Sequence, residues 1–349
     1  MIAGLRRRVD TFFGRGEAAV TVPPLDGALR ANSALDAAPL RLPLEGIDSL
    51  ACVEGRLLAA AGPVLWSLED GRWAESARYE APIAALAPCA GGLALALADG
   101  SLLFRGGARD GERVATGLTC ITALAVEGEA LVIANGSARH AAAEWQRDLM
   151  ERGASGSVWR LEGAGPARQI AGGLAWAGGL AIDAGAVVVA ESWRHRLVRA
   201  EGAPVLTDLP AYPGRLSRAP GGGWWLAAFA PRSQLVEFVL REPGYRRRMM
   251  AEVPMQFWVA PRLRAGRSFY ESLQGGGVKQ LGKLKPWAPT LSAGFCIRLD
   301  AAFRPEDSLQ SRADGVTHGV TDTLETGGQL FVAARGDAVL VALPRGITA

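Results

Sequence analysis

The residues with the chemistry to act on a substrate are few and lie far apart in the chain. Arg215 stands in "YPGRLS" (212–217), between a glycine and a leucine, where a turn runs into an apolar stretch. A guanidinium there offers a planar fork of donors for a carboxylate or other oxyanion; turned between strands, it would pair structurally instead. Asp48 in "GIDSLA" and Asp322 in "VTDTLE" are carboxylates embedded in apolar runs. His318, just ahead of Asp322, is a candidate general base near neutral pH, or a loop histidine with no role. His140 is placed to border a site, whereas His195 in "SWRHR" reads as packing between strands. The lysines Lys279, Lys283 and Lys285 cluster behind "GGG" (275–277) in a chain that otherwise uses arginine. A desolvated lysine serves as a base or forms an imine; the plainer reading is a solvated loop. No GxSxG elbow, HExxH, P-loop or dinucleotide fingerprint is present. Cys52, Cys89, Cys120 and Cys296 show no metal or redox spacing and read as small apolar residues in a reducing compartment.

Elements that could gather these residues are written in a weak internal repeat. Six stretches share one plan, beginning at Ile47, Ile83, Ile121, Ala177, Pro213 and Val320. Each has a short apolar strand, a turn containing glycine, and a second apolar run, as in "ITALAVEGEALVIAN". The copy at Pro213 aligns only after a slip of one residue. Units of about 35–50 residues made of strands and glycine turns are the signature of propeller blades. The chain is therefore expected to be all-β, a six-bladed β-propeller. In that architecture the first strand of each blade lines the central channel. The second residue of each copy should then converge on one small site: Asp48, Ala84, Thr122, Gly178, Gly214 with Arg215 beside it, and Thr321 with Asp322 beside it.

Two intervals between copies are too long, and both excesses read as insertions. One holds the short helix of "RHAAAEWQRDLMERG", stopped at Gly153; the other spans roughly 231–292. Long ordered insertions on one face are commonly lids or substrate walls. The expected division is an amphipathic helix and lead-in over 1–40, then the propeller over 41–349. Ile2, Leu5, Val9, Phe12 and Phe13 recur at helical spacing opposite Arg6, Arg7 and Arg8. Such a helix either docks on the propeller or contacts a membrane surface or partner. A net charge of +3 on 349 residues carries no electrostatic footprint for nucleic acid. With neither an apolar membrane span nor a secretory leader, a cytoplasmic protein acting on a small molecule is expected.

The repeat, together with "AESWRHRLVR" (190–199), "YPGRLS", "EWQRDLMERG" (144–153) and "HGVTDTLETGGQLFVAARG" (318–336), resembles the strictosidine synthase-like proteins. These belong to the wider superfamily of senescence marker protein-30, gluconolactonases and paraoxonases. The resemblance implies a six-bladed propeller with an active site in the central channel. Hydrolytic relatives hold a divalent metal there on a glutamate near the first blade's start and on Asn or Asp at later equivalents. Asp48 keeps one carboxylate, but Thr122, Gly178 and the Gly214–Arg215 pair stand at the other positions. No conventional calcium site and no other cofactor is therefore expected. The glutamate of the condensing enzymes aligns with Thr321; Asp322, one residue on, faces the opposite side. The leading expectation is ester or lactone hydrolysis, or related acid–base chemistry, with Asp48, Arg215, His318 and Asp322 as the acting residues. Thr122, Thr321, His140 and Lys279 are expected substrate contacts. The alternatives are a binding propeller that has lost its metal, and an amine–aldehyde condensation.

Overall fold

Each repeat copy folds as the two inner strands of a four-stranded antiparallel sheet, and six such sheets form the expected propeller. The computed structural model describes residues 22–89, 91–163, 165–267, 285 and 290–345, with 279–280 and 283–284 as backbone. The expected N-terminal helix lies outside the described residues. The innermost strands are Ile47–Val53, Ile83–Cys89, Ile121–Glu127, Ala177–Asp183, Ala211–Arg218 and Val320–Thr326, taken as blades one to six. The circle closes by exchange: Leu40–Pro43 pairs antiparallel with Val339–Pro344 as the outermost strand of blade six, Leu40 opposite Ala342. That pairing joins the two ends of the described chain in one sheet.

Second strands such as Gly92–Leu97 and Ala130–Asn135 are buried along their whole length. Both faces of such a strand meet a neighbouring blade, so a continuous apolar run replaces the alternation of a half-exposed sheet. Outer strands such as Arg72–Arg78 carry charge and are partly exposed. Successive side chains of a strand point to opposite faces, which divides the core into one cluster per blade seam. Trp224, Leu226 and Ala228 pack into the seam between blades four and five, whereas Trp225 and Ala227 enter the seam between five and six. Trp224 stacks on Phe303 at 5.4 Å, and the Trp225 indole donates to Glu325 Oε2 at 2.6 Å.

The two insertions build a further apolar cluster above one face. The first, in blade three, carries helix α1 (Trp145–Glu151). Its left-handed terminal residue is Arg152 (φ 57°) and not Gly153. The glycine is needed for a different reason: a β-carbon there would overlap the Asp148 carboxylate. Buried Asp148 accepts from Ser137 Oγ (2.7 Å) and from the Trp193 indole (2.8 Å), pinning α1 to blades three and four. The second insertion, in blade five, precedes the strand Gly294–Leu299 and carries α2 (Gln234–Arg241) and α3 (Pro243–Glu252).

Helix α2 is seated by Glu237, which meets His195 Nε2 at 3.2 Å and Arg232 Nε at 3.1 Å. Burial alone would raise this carboxyl, but His195 and Arg232 outweigh it and hold its pKa at about 2. A carboxyl depressed from 4.5 stabilises the fold above that pH and loses this contribution as pH falls towards 2. Helix α2 is therefore expected to loosen across that window in wild type, and already at neutral pH in Glu237→Gln. Hydrogen exchange over 234–241 measures both. No helix among the described residues is long and apolar enough to cross a membrane.

Candidate functional site

The same irregularity recurs at the start of five of the six inner strands. In blade one, Ile47 pairs with Ala61 and Ser49 with Ala60, so Asp48 between them has no ladder partner. Ala84, Thr122, Gly178 and Thr321 are skipped in the same way. An extra unpaired residue of this kind is a β-bulge, which bends the strand and re-aims its groups. Here it frees backbone carbonyls at the propeller axis.

Blade five departs from the rule, and the departure brings in the arginine. Pro213 pairs with Ala228 and Leu216 with Leu226, leaving Gly214 and Arg215 without partners. The wider bulge sends the Arg215 side chain across the axis. Its Nε donates to Thr122 O (3.0 Å), and Nη1 donates to Asp48 O (2.9 Å) and Thr321 O (3.2 Å). Nη2 donates to Ala84 O (2.7 Å) and Asp48 Oδ2 (3.1 Å). A guanidinium has five N–H donors, and each has an acceptor. Burial alone would lower the Arg215 pKa, but Asp48 and Asp322 raise it above its ordinary value, so the group stays charged.

Arg215 therefore forms the floor of a cavity of about 430 Å³ on the insertion side. The walls are largely apolar: Ile83, Ile121, Trp176 and Phe229 from the blades, Trp145 from α1 and Leu263 from the second insertion. Trp145 meets Phe229 edge-on at 5.5 Å, which ties the lid to blade five. The polar lining side chains besides Arg215 are Asp48, Thr122, Thr321 and Arg335. Asp48 Oδ1 lies 3.2 Å from Arg335 Nη1. Burial would raise the Asp48 carboxyl, but Arg215 and Arg335 outweigh it and hold it below the usual carboxylate range. Both threonine hydroxyls are committed, Thr321 to Asp48 O (2.8 Å) and Thr122 to Ala177 O.

The residues expected from sequence separate into three groups. Asp48, Arg215, Thr122 and Thr321 meet at the axis. Asp322 faces the other way, into a second cavity of about 370 Å³ at the opposite mouth, and Arg215 lines that cavity too. Asp322 accepts from Leu50 N and Thr323 N (both 2.8 Å) and from Ser49 Oγ (3.1 Å), so it joins blade six to blade one. Burial raises its pKa to about 6 against those hydrogen bonds and Arg215.

The histidines and the lysine stand elsewhere. His318 is fully buried away from the cavity, Nδ1 2.8 Å from Ser292 Oγ and Nε2 2.6 Å from Arg312 O. Desolvation, with Arg264 nearby, lowers its pKa to about 4; it is a neutral strut and not a base at the mouth. His140 pairs with Glu151 at 2.9 Å and is not among the lining residues. Lys279 lies in a short ribbon pairing with Leu284, and its side chain is outside the described residues. Arg335 was missed in sequence, although "FVAARG" places it immediately after the second strand of the last copy.

A calcium ion, which the resemblance drawn from sequence implies for hydrolytic propellers, does not fit this donor set. Calcium needs six to eight oxygens at about 2.3–2.6 Å, and the oxygens that converge here already hold a guanidinium. No cluster of three or more His, Cys, Asp or Glu suited to a metal occurs among the described residues.

Fold and axis together define a six-bladed propeller whose channel is closed at its waist by its own arginine. The chain is similar to a gluconolactonase from Xanthomonas campestris, with a TM-score of 0.53 at 14% identity over 90% of this chain and 93% of that one. It is likewise similar to luciferin-regenerating enzyme, with a TM-score of 0.52 at 12% identity over 89% of this chain and 96% of that one. At these identities the likeness is one of fold. No protein-family model and no curated protein matches the sequence.

Proposed function

We propose that the cavity above Arg215 receives a small organic anion with an apolar body, without help from a metal. Arg335 carries this reading. It reaches a largely apolar cavity half-exposed (48%), and among the described residues its ion pair is with Asp48. Donors left over on such a guanidinium favour a carboxylate or similar oxyanion. Trp145, Trp176 and Phe229 offer flat apolar surface to the rest of the ligand.

A panel of arylalkyl carboxylates and their alcohol analogues, titrated calorimetrically, tests this. Wild type should prefer the carboxylates, and Arg335→Gln should weaken them about 10- to 100-fold, the equivalent of one charged hydrogen bond. Equal binding of acid and alcohol, or an unchanged Arg335→Gln, overturns it.

Lactone or ester hydrolysis, the first expectation from sequence, becomes the second reading. The gluconolactonase fold and the Asp48 carboxylate favour it. Against it, Arg215 and Arg335 hold the Asp48 carboxyl below the usual carboxylate range, which weakens it as a base, Arg215 has no donor left for an oxyanion, and His318 does not line the cavity. Turnover of a lactone panel that Asp48→Asn abolishes would establish it. Amine–aldehyde condensation has no support at Thr321, which carries no carboxyl and spends its hydroxyl on Asp48 O.

A further inference from the structure

We infer that the waist of the channel is a guanidinium-binding site in its own right, with Arg215 as its tethered occupant. The receptor is built from backbone. Four carbonyls, from Asp48, Ala84, Thr122 and Thr321, come from four different blades and converge on one cation. They are presented there by the bulges, which recur in blades whose second residue is as different as Asp48, Ala84 and Thr321. The ring therefore does not depend on which side chain those positions carry. Carbonyl dipoles aimed at one point create negative potential, and Asp48 adds a full charge on the same side.

The acceptors also select for shape. The five bonds to Arg215 run from Nε, Nη1 and Nη2, all three nitrogens of the fork, at 2.7–3.2 Å. A planar cation with edge donors satisfies them together; an ammonium or a spherical ion presents a different geometry. Arg215 lines both the upper and the lower cavity. Truncating it opens the site to solvent from either mouth without touching the ring.

Exogenous guanidinium should then bind where the side chain was removed. In the full-length Arg215→Ala protein, millimolar guanidinium or methylguanidinium chloride should raise Tm saturably. Equal concentrations of sodium chloride, urea or calcium chloride should not, and wild type should show no rise with any of them. Adding Asp48→Asn to Arg215→Ala should weaken the guanidinium effect. If Arg215→Ala does not fold alone, its refolding yield with methylguanidinium against urea becomes the measurement. No gain in Tm or yield, a gain from calcium in place of guanidinium, or an equal gain in wild type overturns the inference. Binding of organic anions at Arg335 is a separate readout, so failure here leaves the proposed ligand cavity untouched.

Discussion

Arg215→Ala is expected to lower folding stability by about 3–5 kcal/mol, the usual cost of removing one partner of a buried ion pair. The substitution strips donors from four backbone carbonyls and leaves Asp48 with Arg335 as its cation. Asp48 O keeps the Thr321 hydroxyl, but leaving the carbonyls of Ala84, Thr122 and Thr321 dry would add about 1–3 kcal/mol each, a sum few domains survive. Water decides the smaller figure: the ring adjoins cavities of about 430 and 370 Å³, from which it can be rehydrated. Arg215→Lys should recover only part of the loss, because an ammonium has three donors for the same five acceptor sites. Urea unfolding measures both variants. A loss below about 1 kcal/mol for the alanine variant, the level of an exposed pair, would mean that the guanidinium does not bind the blades together.

Gly179→Ala should be nearly as costly, at about 3 kcal/mol. A β-carbon at Gly179 would overlap Gly214 O and stand 2.8 Å from Arg215 Cα. Neither contact is with a flexible side chain, so the backbone of blade four or blade five must move. The movement falls on the bulge that aims Arg215, so this variant and Arg215→Ala should be strongly non-additive, as expected of coupled neighbours. Gly244→Ala in α3 is the control. Nothing lies within 4 Å of its added carbon, and a helical alanine is worth up to about 1 kcal/mol over glycine. If Gly179→Ala behaves like Gly244→Ala, blades four and five do not pack as closely as these distances require. The pair "GG" in "WAGGLA" is then best read as space: Gly178 is equally confined, its added β-carbon overlapping Ser192 Oγ.

Much of the site was legible because the fold is periodic. Aligning six copies was enough to bring Asp48, Thr122, Gly214 and Thr321 to one axis, since equivalent residues of equivalent blades must be related by the propeller's rotation; it left open whether Arg215, one residue on, points inward or between the blades. The misaligned fifth copy was itself a signal: the slip marks the wider bulge that carries Arg215 inward. What failed was inference from nearness in sequence. His318 precedes an inner strand by two residues, yet its ring turns away to Ser292 and the Arg312 carbonyl. Arg335 stands after a second strand, outside the ring the alignment drew, but the two strands of a hairpin return it to the same mouth beside Asp48.

Blade count and the candidates for the axial ring follow from the order of amino acids alone. They depend on hydrophobic period and repeat spacing, which are local and additive. What the ring does was settled only once the blades were assembled. Whether Arg215 clamps a ligand or closes the channel depends on where its five donors end, and their acceptors are backbone carbonyls from Asp48, Ala84, Thr122 and Thr321 and the Asp48 carboxylate. Every residue has a carbonyl, so no residue type records its direction. That direction is set by a bulge in each of several blades, and it becomes a cation site only when the circle is closed.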